Sequence, residues 1–155
     1  MRQLQITAIT FGVLFLFSAG ADAQACSAAG SIISVKNTTM GIYEYVTFRI
    51  KKPLNSGSGH SVSTVTGPFT EDPSGNPVTI TGPKYKRIRF NGVFWWCTTA
   101  EIFSLPKIAI KDIKRIEKFE GYVAYVVGYR NASIYLSTTT SNVGSIKQVV
   151  MKFKK

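Results

Sequence analysis

The stretch YEYVTFRI, residues 43–50, decides the fold class because its apolar and polar side chains alternate. The apolar members occupy every second position, at Val46, Phe48 and Ile50. The positions between them form a second set, Tyr43, Tyr45, Thr47 and Arg49. A period of two is typical of a β-strand with one face in a core and the other at the surface.

Similar short runs follow one another along the chain, separated by turn residues. The candidate strand segments are ten, at residues 31–36, 43–50, 61–66, 78–81, 84–90, 93–97, 108–119, 121–129, 133–138 and 147–153. In the segment 108–119, isoleucines at every third position suit a helix, but the opening Ile-Ala-Ile after Pro106 favours a strand. The chain is therefore predicted to be all-β, a compact sandwich or barrel-like pair of small antiparallel sheets. We expect eight or nine strands and at most one short helix.

Two local patterns give more detail about how these strands connect. Asn91-Gly92 is typical of a two-residue type I′ turn, so we predict a hairpin between the strands at 84–90 and 93–97. Gly121–Tyr129, GYVAYVVGY, is apolar on both faces and is predicted to be a central strand. In the last strand, Val149, Met151 and Phe153 are expected to face the core.

The N-terminus is typical of a secretory signal peptide. Arg2 precedes the apolar run at residues 7–19, and the small residues around Ala21-Asp22-Ala23 suit cleavage after Ala23. A cut after Ala25 is the alternative, and it would allow a lipid anchor on Cys26. The apolar run is shorter than a membrane span requires. We therefore predict a cleaved signal at 1–23, a single domain at 24–155 without a transmembrane span, and a secreted or periplasmic location.

The charge balance belongs to the exported domain. The chain of 155 residues has 19 Lys and Arg against 8 Asp and Glu, a formal charge of +11. The charged residues within 1–23 are Arg2 and Asp22 alone. After cleavage 18 basic and 7 acidic residues therefore remain, and the charge stays +11. With 45% hydrophobic and 12% aromatic residues, the composition excludes a disordered basic tail.

The two cysteines, Cys26 and Cys97, are predicted to form a disulfide, because export places them where thiols oxidise. A catalytic cysteine would need a base, and His60 is the only histidine. That histidine follows the small residues 56–59, which predict a flexible loop that would not orient it for catalysis. No paired carboxylates, metal-ligand spacing or phosphate-binding loop is evident. We therefore predict no enzyme activity, no metal and no cofactor.

The remaining candidate site combines basic and aromatic residues. Tyr85, Arg87 and Arg89 share one face of a strand, and the predicted hairpin would bring Trp95 or Trp96 beside them. A guanidinium next to an aromatic ring suits an anionic glycan. The alternative is that both tryptophans belong to the core and the arginines only solvate the sheet. Two further basic groups widen the positive potential, one at Lys107, Lys111, Lys114, Arg115 and Lys118, the other at Lys147, Lys152, Lys154 and Lys155.

Three segments together resemble an AMIN-like domain: GIYEYVTFRI at 41–50, TEDPSGNPVTITG at 70–82 and IKRIEKFEGYVAYVVG at 113–128. The resemblance extends over residues 31–154, although the chain ends in QVVMKFKK instead of the group's usual Arg, hydrophobic strand and Asp. It implies a pair of small β-sheets and an envelope module that associates with cell-wall polymer. It supplies no binding motif at the level of residues.

These observations predict an exported, non-catalytic module whose basic face binds cell-wall or another anionic envelope polymer. The alternative is a protein-interaction subunit of an envelope or secreted complex that uses exposed β edges. A nucleic-acid partner is not expected, because the exported domain would rarely meet one. Asn37 and Asn131 match the glycosylation pattern, which matters only in a host that glycosylates.

Overall fold

The computed structural model describes residues 28–52, 59–93, 95–96 and 101–155. Its strands are β1 (Ser31–Met40), β2 (Tyr43–Lys51), β3 (Gly59–Val65), β4 (Phe69–Thr70), β5 (Pro77–Val78), β6 (Lys84–Asn91), β7 (Trp95–Trp96), β8 (Glu101–Ile102), β9 (Ile110–Phe119), β10 (Tyr122–Tyr129), β11 (Ile134–Val143) and β12 (Ile146–Lys154). Eight of these have seven residues or more, and four have two. The described part contains no helix, so it has none that could cross a membrane. The all-β prediction is confirmed.

Two sheets form the sandwich. The six-stranded sheet has the order β11-β12-β2-β1, with the short strands β7 and β8 parallel to β1. The four-stranded sheet has the order β3-β6-β10-β9 and is antiparallel throughout. A two-stranded ribbon, β4 with β5, is separate from both. The longer strands therefore pair antiparallel, as the short connections between them favour.

The core lies between the two sheets, where the predicted alternation places it. Val46, Phe48 and Ile50 of β2 are buried, as are the three residues predicted to face inward from β12, Val149, Met151 and Phe153. The Phe48 ring packs against Phe90 and Tyr125 of the opposite sheet, at centroid distances of 5.0 and 5.2 Å. Burying each of these aromatic side chains contributes roughly 2 kcal/mol.

Strand β10 is the central strand that its apolar sequence predicts. It pairs with β6 on one side and β9 on the other. Val123, Tyr125 and Val127 enter the main core, whereas Ala124 and Val126 enter a second cluster on the outer side of the sheet. The β4–β5 ribbon contributes Phe69 and Val78 to that second cluster. Both faces of β10 are therefore covered.

The ambiguous segment at 108–119 is a strand, β9, and its irregularities explain the helix-like spacing. Pairing with β10 shifts register between Ile110 and Asp112, and again between Arg115 and Glu117. Each bulge adds one residue, so residues three apart can face the same side. Ile110 and Ile113 consequently both enter the main core.

The prediction of a hairpin at Asn91-Gly92 is wrong. Strand β6 already pairs with β3 and β10, so it has no free edge for the next segment. After Gly92, whose φ is 71°, the chain crosses to the other sheet and β7 pairs parallel with β1. The Asn-Gly pair therefore turns the chain without closing a hairpin.

Two glycines let the segment after the ribbon pass close to β10. A Cβ on Gly82, where φ is 136°, would lie 2.8 Å from the Tyr129 nitrogen. A Cβ on Gly128 would overlap the Thr81 carbonyl oxygen. Only glycine fits this approach, which holds the ribbon against the outer side of the four-stranded sheet. The predicted signal at 1–23 and the cysteines Cys26 and Cys97 lie outside the described residues.

Candidate functional site

The predicted residues Tyr85, Arg87 and Arg89 do share one face of β6, the outer face of the four-stranded sheet. Between the arginines lies Glu117 of β9, with a side chain only 5% exposed. Arg87 Nη2 donates to Glu117 Oε2 at 2.8 Å, and Arg89 Nε donates to the same oxygen at 2.9 Å. Glu117 therefore compensates the positive charge of these two arginines. The carboxylate that the arginines bind thus comes from the protein itself.

The surroundings of this pair are neutral. Burial raises the pKa of Glu117, but the hydrogen bonds and charges of Arg89 and Arg87 outweigh that effect and hold the pKa below its ordinary value. Arg115 Nη2 lies 3.3 Å from Glu71 Oε1, and the negative charge of Asp72 acts on Arg89. Three cationic and three anionic side chains therefore balance here, namely Arg87, Arg89 and Arg115 against Glu71, Asp72 and Glu117.

The β4–β5 ribbon occupies the rest of this face. Phe69 packs edge-on against Tyr85 at 4.9 Å, and the Tyr85 hydroxyl donates to the Ile80 carbonyl oxygen at 3.3 Å. Arg87 and Glu117 still line a cleft of about 330 Å³ beneath the ribbon. The Tyr85 ring is therefore engaged in packing and does not form an open stacking surface.

The strand that contains Trp95 and Trp96 does not lie beside Tyr85, Arg87 and Arg89. Strand β7 pairs with β1 in the six-stranded sheet, whereas Arg87 and Arg89 lie on β6 of the other sheet. The tryptophan side chains are outside the described part of the chain, so the choice between core and ligand contact stays a prediction.

His60 lies on a strand, which corrects the prediction of a loop histidine. It is the second residue of β3 and pairs with Phe90, whose ring centroid lies 6.1 Å away. Burial lowers its pKa, and the charge of Lys147 lowers it further. Because Phe90 enters the core and Glu117 lies on the outer face of the same sheet, the two sides of the sheet separate His60 from that acid. Within the described residues no group of three His, Cys, Asp or Glu could hold a metal ion.

The clearest basic and aromatic surface is instead the outer face of the six-stranded sheet. Cross-strand pairing places Lys152 beside Tyr45, Lys154 beside Tyr43, and Lys36 beside Thr47. We define the Tyr45 face by these six residues, Lys36, Tyr43, Tyr45, Thr47, Lys152 and Lys154. Lys36 and Lys154 are exposed, and the other four are half-buried. Arg49 follows Thr47 on the same face of β2.

The Tyr45 face has no internal acid to neutralise it. On the outer side of β1, β2, β11 and β12, the paired residues include no Asp or Glu. The Lys152 ammonium lies 3.8 Å from the centre of the Tyr43 ring, and the Tyr43 and Tyr45 rings are 6.5 Å apart. Cations and aromatic rings at this spacing can bind anionic groups and pack against apolar ring faces together. The sequence already contained this signal, in the polar phase of YEYVTFRI.

A second basic region lies at one end of the sandwich. Lys107, Lys111, Arg130 and Lys155 line a cavity of about 540 Å³ together with Glu44. Glu44 is fully buried and accepts hydrogen bonds from three consecutive backbone nitrogens, those of Ile108, Ala109 and Ile110. This buried acid was missed, although it falls on the core-facing phase of YEYVTFRI. Because the backbone satisfies Glu44, the four cations dominate the cavity.

The two glycosylation patterns differ in their structural setting. The Asn37 side chain donates to the Ser104 carbonyl oxygen at 3.1 Å and accepts from the Ser104 nitrogen at 2.9 Å. Asn131 is exposed in the turn after β10. Attachment of a glycan at Asn37 would break the contact that anchors Ser104 beside β1, whereas Asn131 has room for one.

Comparison with family models and curated proteins does not assign the chain to a family. A scan of the chain against models of protein families finds no match, and no curated protein sequence matches it. The resemblance to an AMIN-like domain therefore stays a prediction.

We expect replacement of Glu117 by glutamine to lower the free energy of unfolding by about 2 kcal/mol at neutral pH, because it weakens charge-assisted hydrogen bonds to two arginines. The depressed pKa stabilises the fold above the ordinary glutamate pKa, and this contribution is lost as pH falls through the lower folded value. Glu117→Gln should therefore flatten the acid limb of stability against pH. Urea unfolding across pH tests this, with exposed Glu120→Gln as the control. An unchanged acid limb would contradict the role given to Glu117.

Proposed function

We propose that the protein is an exported, non-catalytic binding module whose Tyr45 face associates with an anionic polymer of the cell envelope. The observation that carries the proposal is the lack of an acidic residue among the paired positions of that face, where three lysines and two tyrosines lie together. The signal-like N-terminus supports it, because an exported domain would meet the envelope. The charge of +11 supports it as well, because a positive potential attracts anionic polymers. The AMIN-like resemblance agrees with cell-wall polymer as the partner.

The chemistry of the face suits a polymer better than a single small ligand. Strands in a sheet lie about 4.8 Å apart, so the β1, β2 and β12 positions form an open row more than one sugar ring wide. Lysine ammonium groups bind carboxylates or phosphates as mobile point charges, and tyrosine offers a flat apolar ring with a hydroxyl at its edge. Such a surface binds repeating anionic sugars through many weak contacts.

Retention on purified peptidoglycan tests this proposal. The full sequence is expressed with export, and the exported chain is incubated with peptidoglycan over a salt titration. We expect retention at low salt that weakens as salt rises, since exposed charges are screened. The triple variant K36Q/K152Q/K154Q should bind roughly tenfold more weakly, because each of the three lysines would lose an ion pair with the polymer at the surface, worth about 0.5 kcal/mol.

The matched control removes positive charge from the other sheet. Lys86→Gln and Lys114→Gln lie on β6 and β9, away from the Tyr45 face, and should leave retention nearly unchanged. No retention of the unaltered chain at low salt would contradict wall binding. Equal losses in both sets of variants would contradict the assignment to the Tyr45 face.

A second candidate is interaction with an envelope protein through the edge strand β11. Among the described strands β11 pairs with β12 alone, and its sequence IYLSTTTSNV has no charged residue or proline. Natural edge strands usually carry such residues to prevent pairing, so an edge without them favours strand addition. Peptidoglycan treated with protease separates the candidates: polymer binding survives the treatment, whereas binding to an attached protein is lost.

A further inference from the structure

The end of the sandwich that contains Lys155 combines exposed apolar residues with cations. Met40 and Ile42, in the β1–β2 hairpin, are 69% and 54% exposed, and Ile108 is 52% exposed. The Lys155 nitrogen donates to the Ile42 carbonyl oxygen at 3.0 Å, which fixes the chain end beside this hairpin. Gly41, with φ at 58°, forms the tip between the two apolar side chains. These large apolar side chains therefore point into solvent, and packing in the core does not account for them.

Four cations surround the same end. Lys107, Lys111, Arg130 and Lys155 line the cavity of about 540 Å³, and Thr39 and Ile108 complete part of its wall. Lys155 Nζ donates to the Gly41 carbonyl oxygen at 2.7 Å, and Lys111 Nζ donates to the Lys107 carbonyl oxygen at 2.9 Å. Each ammonium has three donors, so these bonds position the charge and leave donors for a ligand.

Among the described residues, Glu44 supplies the only carboxylate side chain that lines this cavity, and its hydrogen bonds are already satisfied. Glu44 accepts from the backbone nitrogens of Ile108, Ala109 and Ile110 at 2.8 to 3.0 Å. These bonds hold the segment that carries Lys107 and Ile108 against β2. The apolar tips and the cations are consequently parts of one fixed surface.

We infer that this end docks onto the surface of a bilayer that contains anionic phospholipids. The cations match the headgroup phosphates, and the side chains of Met40, Ile42 and Ile108 match the apolar layer beneath them. A soluble polyanion would account for the cations but would give the apolar tips nothing to bind. A purely apolar protein partner would leave the excess of four cations over the single Glu44 carboxylate unbalanced. The inference goes beyond the proposed function and uses residues outside the six of the Tyr45 face, which Met40 borders through its pairing with Tyr43.

Vesicle flotation tests this docking. The exported chain is mixed with vesicles of phosphatidylcholine, or of equal parts phosphatidylcholine and phosphatidylglycerol. We expect binding to the mixed vesicles and little to phosphatidylcholine alone. The double variant K107Q/R130Q should bind the mixed vesicles about 25-fold more weakly, at about fivefold for each cation near an anionic surface. The double variant M40S/I42S should lose roughly tenfold, because partial insertion buries both side chains.

The opposite end supplies matched controls. Val143 is the last residue of β11 and is 56% exposed, and Lys147 pairs with Asn142 near the same end. Both lie far along the strands from Lys155. V143S and K147Q should leave vesicle binding unchanged. All variants share the same N-terminus, so any residual signal segment contributes equally to each.

The outcomes separate docking from simple charge attraction. Loss of binding in both double variants, but in neither control, supports the inference. Loss in K107Q/R130Q with full binding by M40S/I42S overturns it, because the end then adsorbs polyanions without inserting. Failure to bind the mixed vesicles also overturns it. Peptidoglycan retention of M40S/I42S and of K36Q/K152Q/K154Q is measured in parallel, so failure of the proposed function and failure of this inference remain distinguishable.

Discussion

Replacing Glu44 by alanine is expected to lower the free energy of unfolding by about 4 kcal/mol. Its carboxylate accepts from the nitrogens of Ala109 and Ile110, two fully buried residues, at 3.0 and 2.8 Å. Each buried donor left without a partner costs about 1–3 kcal/mol, and the lost side chain leaves a cavity in addition. Chemical denaturation of the exported chain measures the change.

Two further variants give this prediction its controls. Glu44→Gln keeps the volume and one oxygen but places an amide N–H₂ against backbone donors, so its loss should be intermediate. Exposed Glu120→Gln should change stability by less than about 0.5 kcal/mol. If Glu44→Ala were as stable as the unaltered chain, the three backbone hydrogen bonds would not anchor residues 108–110, and the fixed geometry of the Lys155 end would be wrong.

Replacing Cys97 by serine is expected to cost a similar amount, about 4 kcal/mol, if Cys26 and Cys97 form the predicted disulfide. Seventy residues lie between the two cysteines, and closing so long a loop removes much of the entropy of the unfolded chain. The parallel pairing of residues 31–32 with 95–96 places these two parts of the chain in one sheet, whereas both cysteines lie outside the described residues. Cys26→Ser should cause the same loss.

Thiol titration and thermal unfolding check the disulfide. The exported chain should show no reactive thiol until it is reduced and unfolded, and reduction should lower its melting temperature to that of the Cys97→Ser variant. Two reactive thiols in the folded chain would contradict the prediction. A lipid on Cys26, visible in the intact mass, would also contradict it and would place the alternative cleavage site after Ala25.

The period-two alternation was enough to predict the core because burial depends on which side of a strand each residue lies. Val46, Phe48 and Ile50 face inward in the structure, and so do the apolar positions of β12. The same periodicity contained Glu44, but an isolated acid on an inward phase does not reveal its partner. Its donors come from a segment 64 or more residues away.

Strand pairing was harder to predict because it depends on which edges remain free. Asn91-Gly92 is locally a good turn, but β3 and β10 occupy both edges of β6, so the predicted hairpin does not form. The strand phase correctly placed Arg87 and Arg89 together. It did not show that Glu117, 28 residues from Arg89, lies between them or that the ribbon covers Tyr85.

The Tyr45 face also depends on strand pairing that the sequence does not reveal. Tyr43 and Tyr45 were recognised as one face of a strand, yet their lysine neighbours come from β12, about a hundred residues along the chain. Only the pairing of β2 with β12 brings Lys152 and Lys154 beside the tyrosines. The charge of +11 was visible in the sequence, whereas the separation of compensated from uncompensated charge required the fold.

Mapping by NMR of where an acidic wall fragment binds tests the central proposal most directly. Soluble anionic fragments of peptidoglycan are titrated into the labelled exported chain, and amide shifts are followed residue by residue. We predict that the largest shifts fall on residues 43–47 and 150–154, the strands of the Tyr45 face, and that they diminish as salt rises. Shifts centred on Arg87 and Arg89, or no shifts at low salt, would contradict the proposal.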